Sequence, residues 1–354
     1  VKLAKYLPDF GWEPVILTVK DGEYSYMDDS FKSDIDPGLK IYQTKSFEPF
    51  SIYKKISGVD SSSPLPVGQL TDRATSLKGK IFQWIRTNLF IPDGRVGWIP
   101  AAYKEAKKII KLEDIKVIFC SSPPHSLQLV GHRLKKKLGI SLVADFRDPW
   151  TKIQYYQRSR RIRLAKKIDE KLELRVLKQL NHLTTVSSTV ADSFVKRLSG
   201  SEAKLAFSIL TNGWDPDDFQ NIQYQEPSDF LILHTGNLNV TQVPEVLFQS
   251  IQKLANERSE GLSNIKIKFI GRVHQKIMDA VTHYNLETIT EFQPFMSHQS
   301  VIEEICNASL LFSVVPDVPD NKGIVMSKNF EYIGTGNPIL VIGPADSDIA
   351  KILS

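Results

Sequence analysis

Lys328-Asn329-Phe330-Glu331-Tyr332-Ile333-Gly334-Thr335-Gly336-Asn337-Pro338, followed at once by Ile339-Leu340-Val341-Ile342, reads as a loop opening into a short amphipathic helix, a glycine stop and a buried strand. That is one half-turn of an α/β unit. Lys328 and Glu331 stand three apart on the first helical turn and share a face, beside the unbonded N–H groups with which a helix begins. A cation, a carboxylate and a helix start together suit a ligand carrying both phosphates and hydroxyls. The plainer reading is a surface ion pair between the two side chains.

The same alternation extends backwards through the second half of the chain. Residues 230–233, 267–270, 289–292 and 310–315 read as strands, and 244–256, 275–284 and 300–308 as helices. In the first half, strands are expected over 15–19, 117–120, 141–144 and 182–187, and helices over 80–88, 98–111, 127–138 and 188–198. Polar turns follow two of these strands: Ser121-Ser122-Pro123-Pro124-His125-Ser126 and Asp145-Phe146-Arg147-Asp148-Pro149-Trp150. Ligands of open α/β sheets gather outside the carboxyl ends of strands, which makes His125, Arg147 and Asp148 candidates for an acid/base or anion-holding role. A lone histidine is more often structural, and Arg147 between Asp145 and Asp148 also reads as a self-contained ion-pair network. Turn formers at Leu210–Phe219 and a polar stretch to Pro227 separate two parallel-sheet α/β domains, 1–215 and 216–354. Residues 45–78 show little periodicity and read as a long loop.

A chain of 354 residues suits two domains, and its 42% hydrophobic and 24% charged residues exclude extended disorder. No apolar run reaches membrane-spanning length. Cys120 and Cys306 sit far apart in apolar neighbourhoods, as buried thiols of a reducing, cytoplasmic compartment do. The charge of +5 is uneven: Arg158, Arg160, Arg161, Arg163, Lys166 and Lys167 crowd residues 158–167. That run reads as a solvated helix face or a contact for the inner face of a membrane. No aromatic interleaving accompanies it, so nucleic acid is not an expected partner.

Taken in order, Leu3-Ala4-Lys5-Tyr6-Leu7 with Gly11-Trp12-Glu13, Ser122-Pro123-Pro124-His125, Asp145–Trp150, Asn212-Gly213-Trp214-Asp215, His234-Thr235-Gly236-Asn237-Leu238 and Lys328–Tyr332 resemble the family-four retaining glycosyltransferases of the GT-B fold. The resemblance implies two Rossmann-like parallel-sheet domains facing one another across a cleft, the first holding an acceptor and the second a nucleotide sugar. Glu331 matches the family glutamate that receives the ribose hydroxyls. Its usual partner falls at Gly323, where the backbone of Gly323, Ile324 and Val325 offers N–H groups instead. Gly236, Asn237 and Arg272 complete the implied donor side with Lys328 and Glu331. The loop at 237–242 lacks the family's arginine and lysine, so Arg272, Lys322 or Lys328 is expected to answer the diphosphate. A first strand with its glycine-rich loop is expected ahead of Val1, and closing helices after Ser354.

The implied reaction moves a sugar from a nucleotide-diphosphate donor to a glycan or lipid-linked acceptor in polysaccharide or cell-envelope synthesis, with retention, no metal and no cofactor. Cations and helix starts aimed at the departing diphosphate are the expected catalytic device. Asp346-Ser347-Asp348 reads as a helix cap rather than a metal motif. Two alternatives stay open: a nucleotide-sugar epimerase of GT-B fold, and a non-catalytic nucleotide-sugar-binding protein on a decayed transferase scaffold.

Overall fold

Strand and helix alternate in two units, Val1–Leu210 and Thr211–Ser354, in a computed structural model described over residues 2–20, 22, 28, 34–47, 77–152, 161–199, 205–225, 227–257 and 264–354. Most of the expected long loop, and residues 158–160 of the basic run, lie outside the described residues.

The first unit begins with α1 (Lys2–Tyr6), and β1 (Val15–Lys20) pairs in parallel with β2 (Lys40–Lys45). After α2 (Leu77–Leu89) and α3 (Ile99–Leu112) comes a four-stranded parallel sheet of β3 (Val117–Ser122), β4 (Ser141–Phe146), β5 (His182–Thr185) and β6 (Phe207–Ile209), hydrogen-bonded in that order. The connecting helices are α4 (Ser126–Leu138), α5 (Arg163–Leu177) and α6 (Ser188–Arg197). Pro100 in the first turn of α3 lacks an N–H that the helix does not use there, and Gly139 ends α4 at φ 72°, a left-handed conformation that suits glycine. Ala144, Phe146 and Leu183 meet Leu134, Trp150 and Phe194 in the core. β4 runs two residues farther than its apolar stretch predicts. Asp145 and Phe146 stay in register with Ser121 and Ser122 on one side and with Thr184 and Thr185 on the other, so Asp145 belongs to the sheet and not to the turn. β2 and β6 escaped the sequence reading because neither carries a buried apolar row.

The second unit is a parallel sheet in the order β11-β10-β7-β8-β9, made of β7 (Phe230–Thr235), β8 (Ile265–Ile270), β9 (Thr290–Gln293), β10 (Leu310–Val314) and β11 (Ile339–Ile342). Helices α7 (Glu245–Glu257), α8 (Gln275–His283), α9 (His298–Cys306), α10 (Lys328–Thr335) and α11 (Asp348–Leu353) connect and close it. The chain starts in the middle at β7, builds outward through β8 and β9, then crosses back to lay β10 on the other side of β7. The crossovers therefore reverse between β7 and β10, and a crevice at the carboxyl ends of those strands is where such sheets take ligands. Phe248, Phe269 and Phe312 fill the core on one face, and Leu233, Ile302, Ile305 and Tyr332 the other.

The division at Leu210 falls a few residues before the expected 215/216. Trp214 already packs in the second unit: a Cβ at Gly334 of α10 would meet its ring at 2.9 Å. Ser347 caps α11 by accepting from the Ala350 N–H, as the sequence suggests. Both cysteines are free. Among the described residues no helix is long and apolar enough to cross a membrane.

Candidate functional site

The β7–β10 ladder pairs Ile232 with Leu310 and Leu233 with Leu311. Beyond it, the buried His234 takes up the Phe312 carbonyl through Nδ1 at 3.0 Å. A carbonyl only accepts, so the proton sits on Nδ1 and Nε2 presents a lone pair. Lys328 Nζ lies 2.9 Å from that Nε2 and donates to it. Burial pushes the Lys328 ammonium down to about 7 against the pull of Glu331. Burial, then the Lys328 charge, drives His234 well below the usual histidine range, the Phe312 bond opposing. His234 is thus a neutral seat for a lysine that titrates near neutrality.

The backbone under the lysine is bare. Gly236, at φ 91°, gives its N–H to the Ile270 carbonyl at 2.7 Å, and a Cβ there would stand 3.1 Å from Lys328 Nζ. Gly271, at φ 121°, has no room for a side chain either, because a Cβ would fall 2.7 Å from the Gly236 carbonyl oxygen. The two loops are then zipped: the Leu238 N–H reaches the Arg272 carbonyl at 2.9 Å, and the His274 N–H the Leu238 carbonyl at 3.0 Å. This leaves Asn237 and Arg272 exposed on neighbouring loops. Tyr332, fully buried, receives the Thr235 N–H at 2.9 Å and shares a 3.1 Å bond with the Thr235 hydroxyl, tying α10 to the end of β7.

Glu331 turns to His298 at the start of α9, with Oε1 3.2 Å from Nε2. Lys328 and Glu331 therefore engage different histidines, and the surface ion pair weighed from their spacing is not formed. The expected supply of free N–H groups shrinks as well. Asn329 and Phe330 already donate to Met326 and Ser327, and Ile324 to Asn321. Val325 belongs to a small apolar cluster with Val315, Phe330 and Ile349, and Gly323 is buried in a short 3₁₀ turn. Lys322 is ion-paired with Asp346, which leaves Lys328 as the cation seated at the crevice. The cation-poor loop after β7 is held by Gln242, whose amide donates to the Val314 carbonyl at 2.8 Å. The Ser313 hydroxyl and both amide atoms of Asn329 are buried without a partner among the described residues.

At the sheet edge of the first unit, the sequence candidates separate. His125 is buried, its ring 5.2 Å from and parallel to Trp150, and burial depresses it to about 3. Its ring is therefore held in the neutral form, and it packs on the Trp150 ring. The start of α4 is already met by Asp93, which accepts from the Ser126 N–H at 2.8 Å and is itself raised by burial. Arg147 donates to the Leu210 carbonyl at 3.0 Å and lies 3.7 Å from Asp145; Asp145 in turn accepts from Ser121 and Thr184. Asp148 is raised by burial, with Arg147 opposing, and keeps some exposure beside it. Arg161 of the basic run is buried against Asp169, whose other oxygen accepts from Trp150 Nε1 at 2.8 Å. This arginine is a core strut, not a surface contact.

His234, His298 and Asp93 were not singled out from the sequence. Each acts on a residue far away in the chain, and only His234 stood in a quoted motif.

The pattern described as Glycosyltransferase Family 4 matches residues 69–217. No curated protein sequence matches the chain. Among solved structures, sucrose-phosphate synthase from Thermosynechococcus elongatus is similar at 11% identity and TM-score 0.58, over 97% of this chain and 75% of that one. An α,α-trehalose-phosphate synthase (UDP-forming) from Burkholderia xenovorans, in complex with glucose-6-phosphate, is similar at 9% identity and TM-score 0.58, over 96% and 87%. The trehalose-6-phosphate protein from E. coli bound with UDP-2-fluoro glucose follows at 10% and 0.56, over 96% and 86%. Residues 69–217 thus carry the Glycosyltransferase Family 4 pattern, and the chain along its length shares the GT-B fold of these structures.

Proposed function

We propose that the chain transfers a sugar from a nucleotide-diphosphate donor to a hydroxyl of a glycan or lipid-linked acceptor, with retention of configuration and without metal or cofactor, in polysaccharide or cell-envelope glycan synthesis. The observation that carries this reading is the Lys328 ammonium resting on the bare backbone of Gly236 at the point where the crossovers reverse. Departure of a nucleoside diphosphate builds negative charge, and a desolvated ammonium fixed on a neutral imidazole meets that charge with little reorganisation. Glu331, one turn along α10 and oriented by His298, accepts from vicinal ribose hydroxyls. Arg272 stands by as a second cation. On the acceptor side, Arg147 and Asp148 take the working roles, with His125 as a buried support for Trp150. Similar structures whose descriptions mention UDP-2-fluoro glucose and glucose-6-phosphate support a nucleotide sugar and a hydroxylic acceptor as the substrate classes. Protein peripheral to the inner face of a membrane is the proposed setting.

The test is a thermal-shift screen of UDP, GDP, ADP and their sugars against the protein and its Lys328→Met and Glu331→Gln variants. One nucleoside diphosphate is expected to raise Tm in the parent and much less in either variant. If none does at millimolar concentration, the donor site is misplaced. Turnover is then read from the released nucleotide and the anomeric configuration of the product. An epimerised nucleotide sugar in place of transfer, or binding without turnover, overturns the assignment.

A further inference from the structure

α4 sits between α3 and α5, and its outer face carries His132 with Lys136 and Arg133 with Lys137, each pair one turn apart. With Tyr103 from α3 and Arg175 from α5 they line an open surface hollow of about 560 Å³. Four cations and a histidine face this hollow and no carboxylate lines it. The acidic residues of the flanking helices are engaged elsewhere: Glu105 with Lys108 at 2.8 Å, Asp169 with Arg161, Glu170 with Arg197 at 3.9 Å, and Glu173 with Thr151 and with Arg197 at 3.1 Å. Arg133, Lys136, Lys137 and Arg175 have no ion-pair partner among the described residues. His132 is 95% buried, and its Nδ1 has neither solvent nor a hydrogen-bond partner. Burial, then Arg175, Lys136 and Arg133, press its protonation downward. Like charges held around one depression repel. An anion with several oxygens relieves that repulsion.

The hollow is also far along α4 from the sheet edge that holds Arg147 and Asp148. α4 leaves the carboxyl end of β3 and delivers the chain to the amino end of β4, so its second half lies toward the opposite edge. We propose that this hollow binds a phosphate-bearing polyanion, through Arg133, Lys136, Lys137 and Arg175 with His132 at its floor, as a site separate from the donor and acceptor sites. A phosphate ester in solution and the phosphate of a lipid headgroup offer the same chemistry.

The full chain is titrated with inorganic pyrophosphate while the His132 ring resonances are followed by NMR. In parallel it is sedimented with phosphatidylcholine vesicles containing phosphatidylglycerol. Saturable movement of the His132 resonances is expected. The exposed pair Lys136→Glu with Arg175→Glu, and its neutral counterpart Lys136→Gln with Arg175→Gln, should weaken binding by about tenfold or more, since charge-assisted hydrogen bonds are lost. Nucleotide binding should stay unchanged and Tm should not fall, since the substitutions relieve like-charge repulsion. Response to soluble pyrophosphate without sedimentation assigns a free phosphate compound; sedimentation that the double variants abolish assigns a headgroup. No saturable response to either probe, or binding undiminished in both double variants, overturns the proposal.

Discussion

Raising the pH from about 7 to about 9 should weaken binding of a nucleoside diphosphate by about fifty-fold, through Lys328 alone. The free ammonium titrates at about 7 because it is buried. Half of the molecules then carry the charge at about pH 7, about a tenth at pH 8 and about a hundredth at pH 9. A diphosphate against Nζ returns the lysine toward its ordinary value, so binding at about pH 8 takes up roughly 0.9 proton, and each unit costs up to about 1.4 kcal/mol. The unliganded protein should move the opposite way. Its unfolded lysine, titrating at 10.5, binds more protons than the folded one between about 7 and 10.5, so this group's burial penalty, at most about 5 kcal/mol, is present below that window and relieved as pH rises through it. Isothermal titration calorimetry at each pH, in buffers of different ionisation enthalpy, measures affinity and proton uptake together. Lys328→Arg, always charged, should flatten the profile, and Lys328→Met should leave it flat and weak. Wild-type affinity that is constant over this range, with no proton exchanged, would refute the reasoning.

Three further outcomes can be checked by chemical denaturation. Asp169→Ala strands the buried Arg161 and removes the acceptor of Trp150 Nε1, so it should cost about 3–5 kcal/mol, typical of breaking one side of a buried pair; a loss below about 1 kcal/mol contradicts the buried strut. Gly271→Ala puts a Cβ 2.7 Å from a backbone oxygen at φ 121°. It should destabilise by about 1–3 kcal/mol or more and abolish the nucleotide-induced Tm shift, whereas wild-type behaviour would mean the strand ends do not touch. Tyr332→Phe leaves the Thr235 N–H unsatisfied and should cost about 1–3 kcal/mol with an unchanged denaturant slope.

Local pattern and long-range pairing explain what the sequence disclosed. The apolar run at 310–315, the glycine stop at Gly336 and the Lys328–Glu331 turn are written in neighbouring residues, and strand, helix and stop all stand where those residues put them. The seat of the lysine is not local: His234 reaches Lys328 across 94 residues. Asp93 meets Ser126 from a loop 33 residues away, and nothing in Pro92-Asp93-Gly94 distinguishes a helix cap from an ordinary turn. Spacing made Lys328 and Glu331 look like partners because adjacency on a helix face says nothing of competitors from other elements. Arg161 likewise read as one of a solvated run, since a charge run does not reveal which member has found a buried carboxylate.

The two bonds that assemble the donor corner, Lys328 to His234 and Tyr332 to Thr235, span 94 and 97 residues. Loops of that size close late, after the more local β7–β8 and β8–β9 pairings have formed. The corner is thus completed only when α10 docks on a sheet that is otherwise built. In refolding, capture of a nucleotide should trail the burial of Phe269 and Phe248, so ligand binding reports the finished unit rather than its collapse.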